Sequence, residues 1–323
     1  MFEFEQLTLV CTDMGGTQAV EIVSQAEALS DFQLLGVEEN DRLGDVSLYR
    51  HKQTGDINWV KDLPIEGRDQ EVLLDEYVRS EGWKQNFFIT SALKKIGKEA
   101  GSSLLCSASC TANLRYGVFM DYMEKDLQTE IEQRVIEADG PEYFPEAEIW
   151  YMVETFINLE MFVLLKQNRF HHDLRTSTVF VADNGQMKFA DPALVDPNTN
   201  GYFKVLMKQA RCNLSPEYLQ SLNANQREPK SNPELAEVFA IGIVLLSACS
   251  LETEASFYDW EAQEIRWKTM AASIEVVKSQ YSELLAELIT NCLKERAADR
   301  LLLGQITGYL ERRRQEQMAQ AEK

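Results

Sequence analysis

The chain has 323 residues, of which 45% are hydrophobic, so it is long enough for one large two-lobed unit or two ordinary domains. Its 52 acidic and 32 basic side chains give a formal net charge of −20, which argues against nucleic-acid and membrane partners because both need dense positive charge. A protein partner with a basic or neutral surface fits better, and the alternative is that the acidic face serves solubility alone.

Two features of the sequence predict a cytoplasmic address. The first residues lack the basic and apolar regions of a secretory signal, and no window approaches eighteen uninterrupted apolar residues.

The six cysteines are scattered, and the close pair Cys106 and Cys110 has no histidine cluster to complete a zinc site. We therefore expect reduced thiols, mostly in the core.

The first third of the chain predicts strands and one helix. Residues 1–30 are interpreted as an N-terminal extension with a helix-like stretch at 19–28. From Asp31 onward, short runs bounded by turn residues predict an antiparallel meander. An acidic amphipathic segment then predicts a helix, and strand-like sequence returns after it. The predicted strands are 32–36, 44–50, 57–61, 87–90 and 104–123, and the helix is 71–83.

The remainder predicts helices. Apolar residues recur at helical spacing in 127–136 and 145–166, and the region from 233 to 320 is mostly helical in pattern. Residues 313–323 are interpreted as a solvated helical tail. A strand-rich first third followed by helices predicts an α+β protein, but this order does not by itself identify a family.

Two segments carry a more specific signal. Residues 170–181, which include His171, Asp173 and Thr178, resemble the catalytic loop H-R-D-L-K-x-x-N and the following strand of eukaryotic protein kinases. Downstream, Asp191 with Pro192 stands where these kinases have D-F-G.

Other landmarks follow in kinase order. Glu217 ends a segment that resembles A-P-E, Glu237 begins one that resembles the D-V-W-S-x-G helix, and Arg300 resembles the late arginine. Upstream, residues 35–46 resemble the glycine-rich loop, 59–61 resemble V-A-I-K, and 118–123 resemble the strand that leads into the hinge.

The resemblance identifies residues 31–312 as a member of the protein kinase superfamily. It implies a bilobal α+β fold with a β-rich small lobe at 31–121 and a helical large lobe at 122–312. Within the superfamily, the chain resembles divergent kinase-like proteins of ciliated protists, which share a long insertion between strands 4 and 5 and a motif like that at 257–260.

The resemblance also implies roles for individual residues. Asp173 takes the position of the catalytic base and Asp191 that of a metal ligand. Lys61 would contact the nucleotide, with Glu76 as its partner on the helix and Glu71 as the alternative. Nucleotide contacts would also come from Gly44, Val46, Met120 at the gatekeeper position and Met123 in the hinge. The scaffold residues would be His171, Glu237, and the ion pair of Glu217 with Arg300.

Several phosphate-handling positions depart from the kinase pattern. Glu39 and Asp41 stand at two glycine positions of the loop, and Asn40, Asp41 and Arg42 form its crown. Thr178 replaces the asparagine that holds a second magnesium, and a neutral hydroxyl is a poor substitute for that ligand. Pro192 and Ala193 replace the phenylalanine and glycine of D-F-G. These changes predict weakened clamping, metal binding and docking of the activation segment.

The leading interpretation is therefore a pseudokinase that acts as a protein-binding scaffold, requires no cofactor, and belongs to a larger cytoplasmic, ciliary or cytoskeletal assembly. One alternative is a weakly active serine/threonine kinase, because Lys61, Asp173 and Asp191 all survive. Another is a sensor that binds ATP, with or without magnesium, and does not turn it over.

Overall fold

The small lobe is built on a mostly antiparallel sheet. The computed structural model describes residues 20–40, 43–80, 84, 87–97, 114–136, 140–195, 201–208 and 210–321. Within these residues the small lobe contains β1 (Ile22–Ser24), α1 (Gln25–Ala28), β2 (Phe32–Asn40), β3 (Gly44–His51), β4 (Ile57–Pro64), α2 (Arg68–Arg79), β5 (Thr90–Gly97) and β6 (Arg115–Asp121).

The predicted meander forms the centre and one edge of this sheet, whose order is β1-β5-β6-β4-β3-β2. β2, β3 and β4 pair antiparallel in sequence, and β4 then pairs with β6. Gly55 turns the chain between β3 and β4 with a φ of +81°, a conformation that glycine adopts without strain. Asp41 and Arg42 of the predicted loop crown lie outside the described residues, as do 98–113, which include part of the expected insertion and the first ten residues of the strand predicted at 104–123.

The small lobe begins earlier than residue 31. β1 lies within the expected N-terminal extension and pairs parallel with β5 at the edge of the sheet. Residues 22–28 therefore belong to the small lobe, whereas residues 1–19 lie outside the described part of the chain.

The large lobe is mainly helical and begins just after the hinge. Its elements are β7 (Lys125–Asp126), α3 (Leu127–Val135), α4 (Glu146–Gln167), β8 (Val179–Val181), β9 (Met187–Phe189), α5 (Pro192–Val195), α6 (Gly201–Leu206), α7 (Pro216–Asn223), α8 (Pro233–Ser250), β10 (Tyr258–Asp259), β11 (Glu264–Ile265), α9 (Trp267–Gln280), α10 (Glu283–Cys292) and α11 (Leu303–Ala321).

Helix α8 forms the centre of the large lobe. Asn232 caps it by accepting the N–H of Glu234, and Pro233 occupies the first turn, where no N–H is needed. The helix is long and apolar enough to cross a membrane, but 78% of that stretch is buried inside the protein, as expected for a core helix. At Gly242 a Cβ atom would lie 2.9 Å from the Cβ of Cys292, so glycine allows α10 to approach closely.

Helix α11 continues through the predicted tail. The Arg313 guanidinium lies 5.2 Å from the centre of the Trp150 ring on α4, and Arg314 Nη2 lies 2.8 Å from Glu154 Oε1. Both contacts attach the end of the helix to α4, although exposed contacts of this kind contribute little each. The predicted boundary at 312 thus falls inside one helix.

Candidate functional site

Asp173 lies at the predicted catalytic-base position, but its carboxylate is enclosed by cations. Arg175 donates to both oxygens, with Nε 2.8 Å from Oδ1 and Nη2 3.2 Å from Oδ2. Lys204 on α6 forms a second ion pair with Oδ2, and the Cys212 thiol lies 3.5 Å from Oδ1. Burial alone would raise the pKa of Asp173, but Arg175 and Lys204 lower it, so the carboxylate is a stable anion and a weak base.

Thr178, at the second metal position, holds the catalytic loop together. Its Oγ1 accepts the Arg175 N–H at 2.9 Å and lies 2.7 Å from the carbonyl oxygen of Asp173. The side chain is buried. Its hydroxyl is therefore engaged with the loop backbone and does not replace the amide ligand of active kinases.

Asp191, at the first metal position, is bound by two side chains. Tyr77 on α2 donates its hydroxyl hydrogen to Oδ2, and Gln167 at the end of α4 donates to Oδ1 at 3.2 Å. The residue is 1% exposed. Burial and the Asp191 charge both raise the pKa of Tyr77, so the phenol keeps its proton and continues to donate.

The structure does not bring Glu76 to Lys61. Lys61 Nζ donates to the carbonyl oxygen of Leu43 at 2.6 Å, close to Gly44, which has a φ of +73°. Glu76 is exposed on α2, whereas the buried and half-buried positions of that helix are 70, 71, 74, 75, 77 and 78. The predicted pairing is corrected on this point.

The alternative partner, Glu71, forms an ion pair with a different lysine. Lys95 on β5 is 3% exposed, and its Nζ lies 2.7 Å from Glu71 Oε1 and 2.9 Å from Asp75 Oδ1. Tyr116 on β6 donates to the same Asp75 carboxylate. The ion pair that attaches α2 to the sheet is therefore formed by β5 rather than by β4.

An indole ring occupies the mouth of the predicted adenine slot. Trp59 is 3% exposed and stands opposite Met120 in the ladder between β4 and β6. Its ring centre lies 4.8 Å from that of Tyr122 in the hinge and 5.8 Å from that of Phe180 on β8. Aromatic side chains from both lobes thus contact each other at the hinge.

The rest of the slot is lined by apolar side chains in one buried cluster. Met120 and Val46 are almost fully buried in it, and Met123 packs against its edge. Leu194 on α5, three residues after Asp191, joins the same cluster from the large lobe. Three of the predicted nucleotide-contacting residues, Val46, Met120 and Met123, therefore belong to an apolar cluster between the lobes.

The predicted scaffold pair is present and well formed. Arg300 donates Nη1 and Nη2 to the two carboxylate oxygens of Glu217, both at 2.7 Å. The remaining N–H groups of the guanidinium bind backbone carbonyls, including that of Lys294 at 2.7 Å. The Arg300 side chain is fully buried, so the pair ties α7 to the end of the lobe.

The other two predicted scaffold residues also lie in the interior. His171 is 6% exposed, and its Nε2 lies 3.2 Å from the carbonyl oxygen of Ala190. Glu237 on α8 accepts from His172 Nδ1 at 2.9 Å. His172 has a φ of +64°, so the loop is held in a conformation that few side chains adopt.

An open cleft of about 900 Å³ remains in front of these groups. Its walls come from the hinge, α3, the loop before α7 and the segment after α8. Acidic and aromatic side chains are common in its lining, which contains Glu38, Glu39, Trp59, Tyr122, Glu124, Glu254, Tyr258 and Trp260 as well as Arg175 and Arg211.

The sequence profile described as protein tyrosine and serine/threonine kinase matches residues 92–310. That match covers more than half of the chain and agrees with the two-lobed fold and the order of its landmarks. The chain belongs to the protein tyrosine and serine/threonine kinase family. Among curated proteins, none is significantly similar to it in sequence.

The family usually binds ATP with magnesium, and three positions of that site are in contact with other side chains or with the loop backbone. Trp59 fills the mouth of the adenine slot, and Asp191 is already bound by Tyr77 and Gln167. Thr178 binds the loop backbone.

Four residues of this site were missed by sequence reasoning. They are Trp59, Tyr77, Lys95 and Lys204. Trp59 alone carried a readable signal, because it stands two residues before Lys61, at the alanine of V-A-I-K. Nothing in the local sequence distinguishes Tyr77, Lys95 or Lys204 from ordinary surface residues.

Proposed function

We propose that this protein is a catalytically inactive member of the kinase family that acts by binding other proteins. The observation that carries the proposal is the enclosure of Asp173 by Arg175 and Lys204. A general base must reach the substrate hydroxyl and accept its proton, and a buried anion paired with two cations is poorly suited to either. Pro192 also supports the proposal, because it stands at the phenylalanine of D-F-G and begins α5 directly after Asp191.

The state of the nucleotide slot supports the same proposal. In an active kinase a lysine contacts the phosphates and pairs with a helix glutamate. Here Lys95 attaches α2 to the sheet through Glu71 and Asp75. Trp59 of the small lobe contacts Tyr122 and Phe180 of the large lobe, so the protein's own aromatic side chains connect the lobes at the hinge.

Nucleotide binding gives the first test. We expect no change in the melting temperature of the full chain when ATP is added, with or without magnesium, because the slot is filled by side chains. An active member of the family is the positive control. A concentration-dependent rise would favour the ATP sensor, and a rise that needs magnesium would assign Asp191 to a metal.

Phosphotransfer gives the second test. We expect no transfer from radiolabelled ATP to a mixture of protein substrates or to the chain itself. Turnover that is abolished in Asp173→Asn would overturn the proposal in favour of a weak serine/threonine kinase, because that carboxylate affects the rate only if a hydroxyl is being phosphorylated.

The outer cleft is the surface we assign to a protein partner. Glu38, Glu39 and Glu124 line its rim and favour a basic segment, which agrees with the net charge of −20. Tyr122 and Trp260 add flat aromatic surface on which arginine can stack.

A direct measurement of binding tests this surface. Fluorescent peptides that carry several arginines should bind the wild-type chain more tightly than matched peptides with glutamine. The variant Glu39→Lys, Glu124→Lys should lose that preference, whereas a change of the exposed Glu275 on α9 to lysine should not. Equal binding of both peptides to the wild type would remove the cleft from consideration.

The cellular address is also a proposal, namely the cytoplasm, on a ciliary or cytoskeletal assembly. It is supported by the resemblance to kinase-like proteins of ciliated protists. Fluorescent tagging of the full chain checks it, and a diffuse signal that never marks cilia or filaments would contradict the assembly.

A further inference from the structure

Two carboxyl groups meet inside the large lobe. Glu160 on α4 is completely buried, and Glu237 on α8 is 5% exposed. The charge of Glu237 acts on Glu160, so the two carboxyl groups interact electrostatically. Two ionised carboxylates repel each other inside a protein and can only accept hydrogen bonds, so a proton on one of the two groups is favoured.

The pair holds two successive residues of the catalytic loop. Glu160 Oε2 accepts the backbone N–H of His171 at 3.1 Å, and Glu237 Oε1 accepts from His172 Nδ1 at 2.9 Å. Among the described residues, Glu160 Oε1 and Glu237 Oε2 have no other donor. One proton between these two oxygens satisfies both.

Neighbouring charges do not neutralise Glu160. The cations closest in the loop and on α6, Arg175 and Lys204, are directed at Asp173. His171 is fully enclosed, and burial lowers its pKa, so its ring is neutral. Burial first, and then the Glu237 charge, raise the pKa of Glu160.

The other groups around the pair belong to α7 and to the loop. Tyr218 on α7 feels the Glu237 charge, and burial raises its pKa to about 12, so it stays neutral. The His172 ring, 24% exposed at its side chain, contacts Glu237 from the solvent side. The titratable group that acts on Glu160 is therefore the carboxyl of Glu237.

We propose that Glu160 and Glu237 share one proton at neutral pH and that its loss as the pH rises loosens the catalytic loop from α4 and α8. A carboxyl with a raised pKa in the folded protein binds more protons folded than unfolded. Folding stability therefore falls as the pH rises from the ordinary glutamate range through the raised pKa. The device does not depend on nucleotide or on a partner.

A neutral isostere isolates the shared proton. The amide of Glu160→Gln can accept from His171 and donate to Glu237 without titrating. Between about pH 5.5 and 8.5, its melting temperature should rise relative to wild type by about 2 °C or more toward the alkaline end. Glu237→Gln should remove the same pH dependence, and the double variant should remove no more. Glu154→Gln, exposed on the same helix, should follow the wild type.

A spectroscopic measurement on the wild type covers the case in which a variant fails to fold. The infrared carbonyl band of a protonated carboxylic acid should be present at neutral pH and should weaken in Glu160→Gln. Glu254 is a second buried carboxyl with a raised pKa, so the assignment rests on the difference between the two spectra. An unchanged band, or a wild-type pH dependence that persists in both single variants, would overturn the shared proton.

Discussion

The end of the large lobe and the cleft between the lobes use the same kinds of charged residue in different ways. Glu217 and Arg300 form the isolated ion pair that the family pattern predicts. In the cleft, Asp173 and Asp191 keep the family's residue types but are bound by side chains that the pattern does not contain. A retained residue type therefore indicates the fold, but it does not show that the side chain is available to a ligand.

The difference has a physical basis. In a buried ion pair such as Glu217 with Arg300, each side chain needs only the other one, and both residues lie in the large lobe. A catalytic carboxylate must instead remain accessible to a ligand. When no ligand is bound, a buried carboxylate is stable only if the protein itself neutralises it, as Arg175 and Lys204 do for Asp173.

The largest expected effect is at the scaffold pair. Glu217→Ala should lower the free energy of unfolding by about 3 to 5 kcal/mol, because it leaves the fully buried Arg300 charged and without its carboxylate. Chemical denaturation measures the change. Glu154→Ala, which breaks an exposed contact with Arg314, is the control and should cost no more than about 1 kcal/mol. Equal effects of the two changes would place the scaffold pair in solvent.

Asp173 gives a prediction that separates a structural role from a catalytic one. Asp173→Asn should cost about 3 kcal/mol near neutral pH, because Arg175 and Lys204 would be left buried as like charges. The lowered pKa means that this stabilisation is present above the ordinary aspartate range and is lost as the pH falls through the lowered value.

Thermal unfolding at several pH values checks this. The wild type and Asp173→Asn should differ most near neutral pH and converge in strong acid. A variant as stable as the wild type at neutral pH would mean that the two ion pairs are weak, and the main support for an inactive site would fall with them.

Lys61 and Lys95 in the small lobe give a further test of this comparison. Lys95→Met should cost about 2 to 3 kcal/mol, since Glu71 and Asp75 would lose the buried cation that holds α2 to β5. Lys61→Met should leave this attachment of α2 in place, because the cation that contacts Glu71 and Asp75 is Lys95.

Hydrogen exchange locates the effect. Lys95→Met should increase exchange in α2, and Lys61→Met should leave it unchanged. Increased exchange of α2 in Lys61→Met but not in Lys95→Met would mean that Lys61, the family's usual lysine, attaches the helix.

Much of the fold could be predicted because its signals are local. The predicted meander, α2 and α4 match the observed elements to within a few residues, and the two-lobed α+β architecture is confirmed. Alternation and helical periodicity depend on neighbours in sequence, which a reader of the chain can see. β1 was missed because three residues at a sheet edge carry too short a pattern, and its pairing with β5 depends on a segment about 70 residues away.

The sequence by itself determined the family, the order of its landmarks and the substitutions Thr178 and Pro192, since each is read at a fixed place along the chain. Only the tertiary structure decided what surrounds the retained carboxylates. Lys204 reaches Asp173 from 31 residues downstream, and Tyr77 reaches Asp191 from 114 residues upstream. Such contacts are set by how helices pack against the sheet and the loop, and packing between distant segments leaves no periodic trace in the sequence.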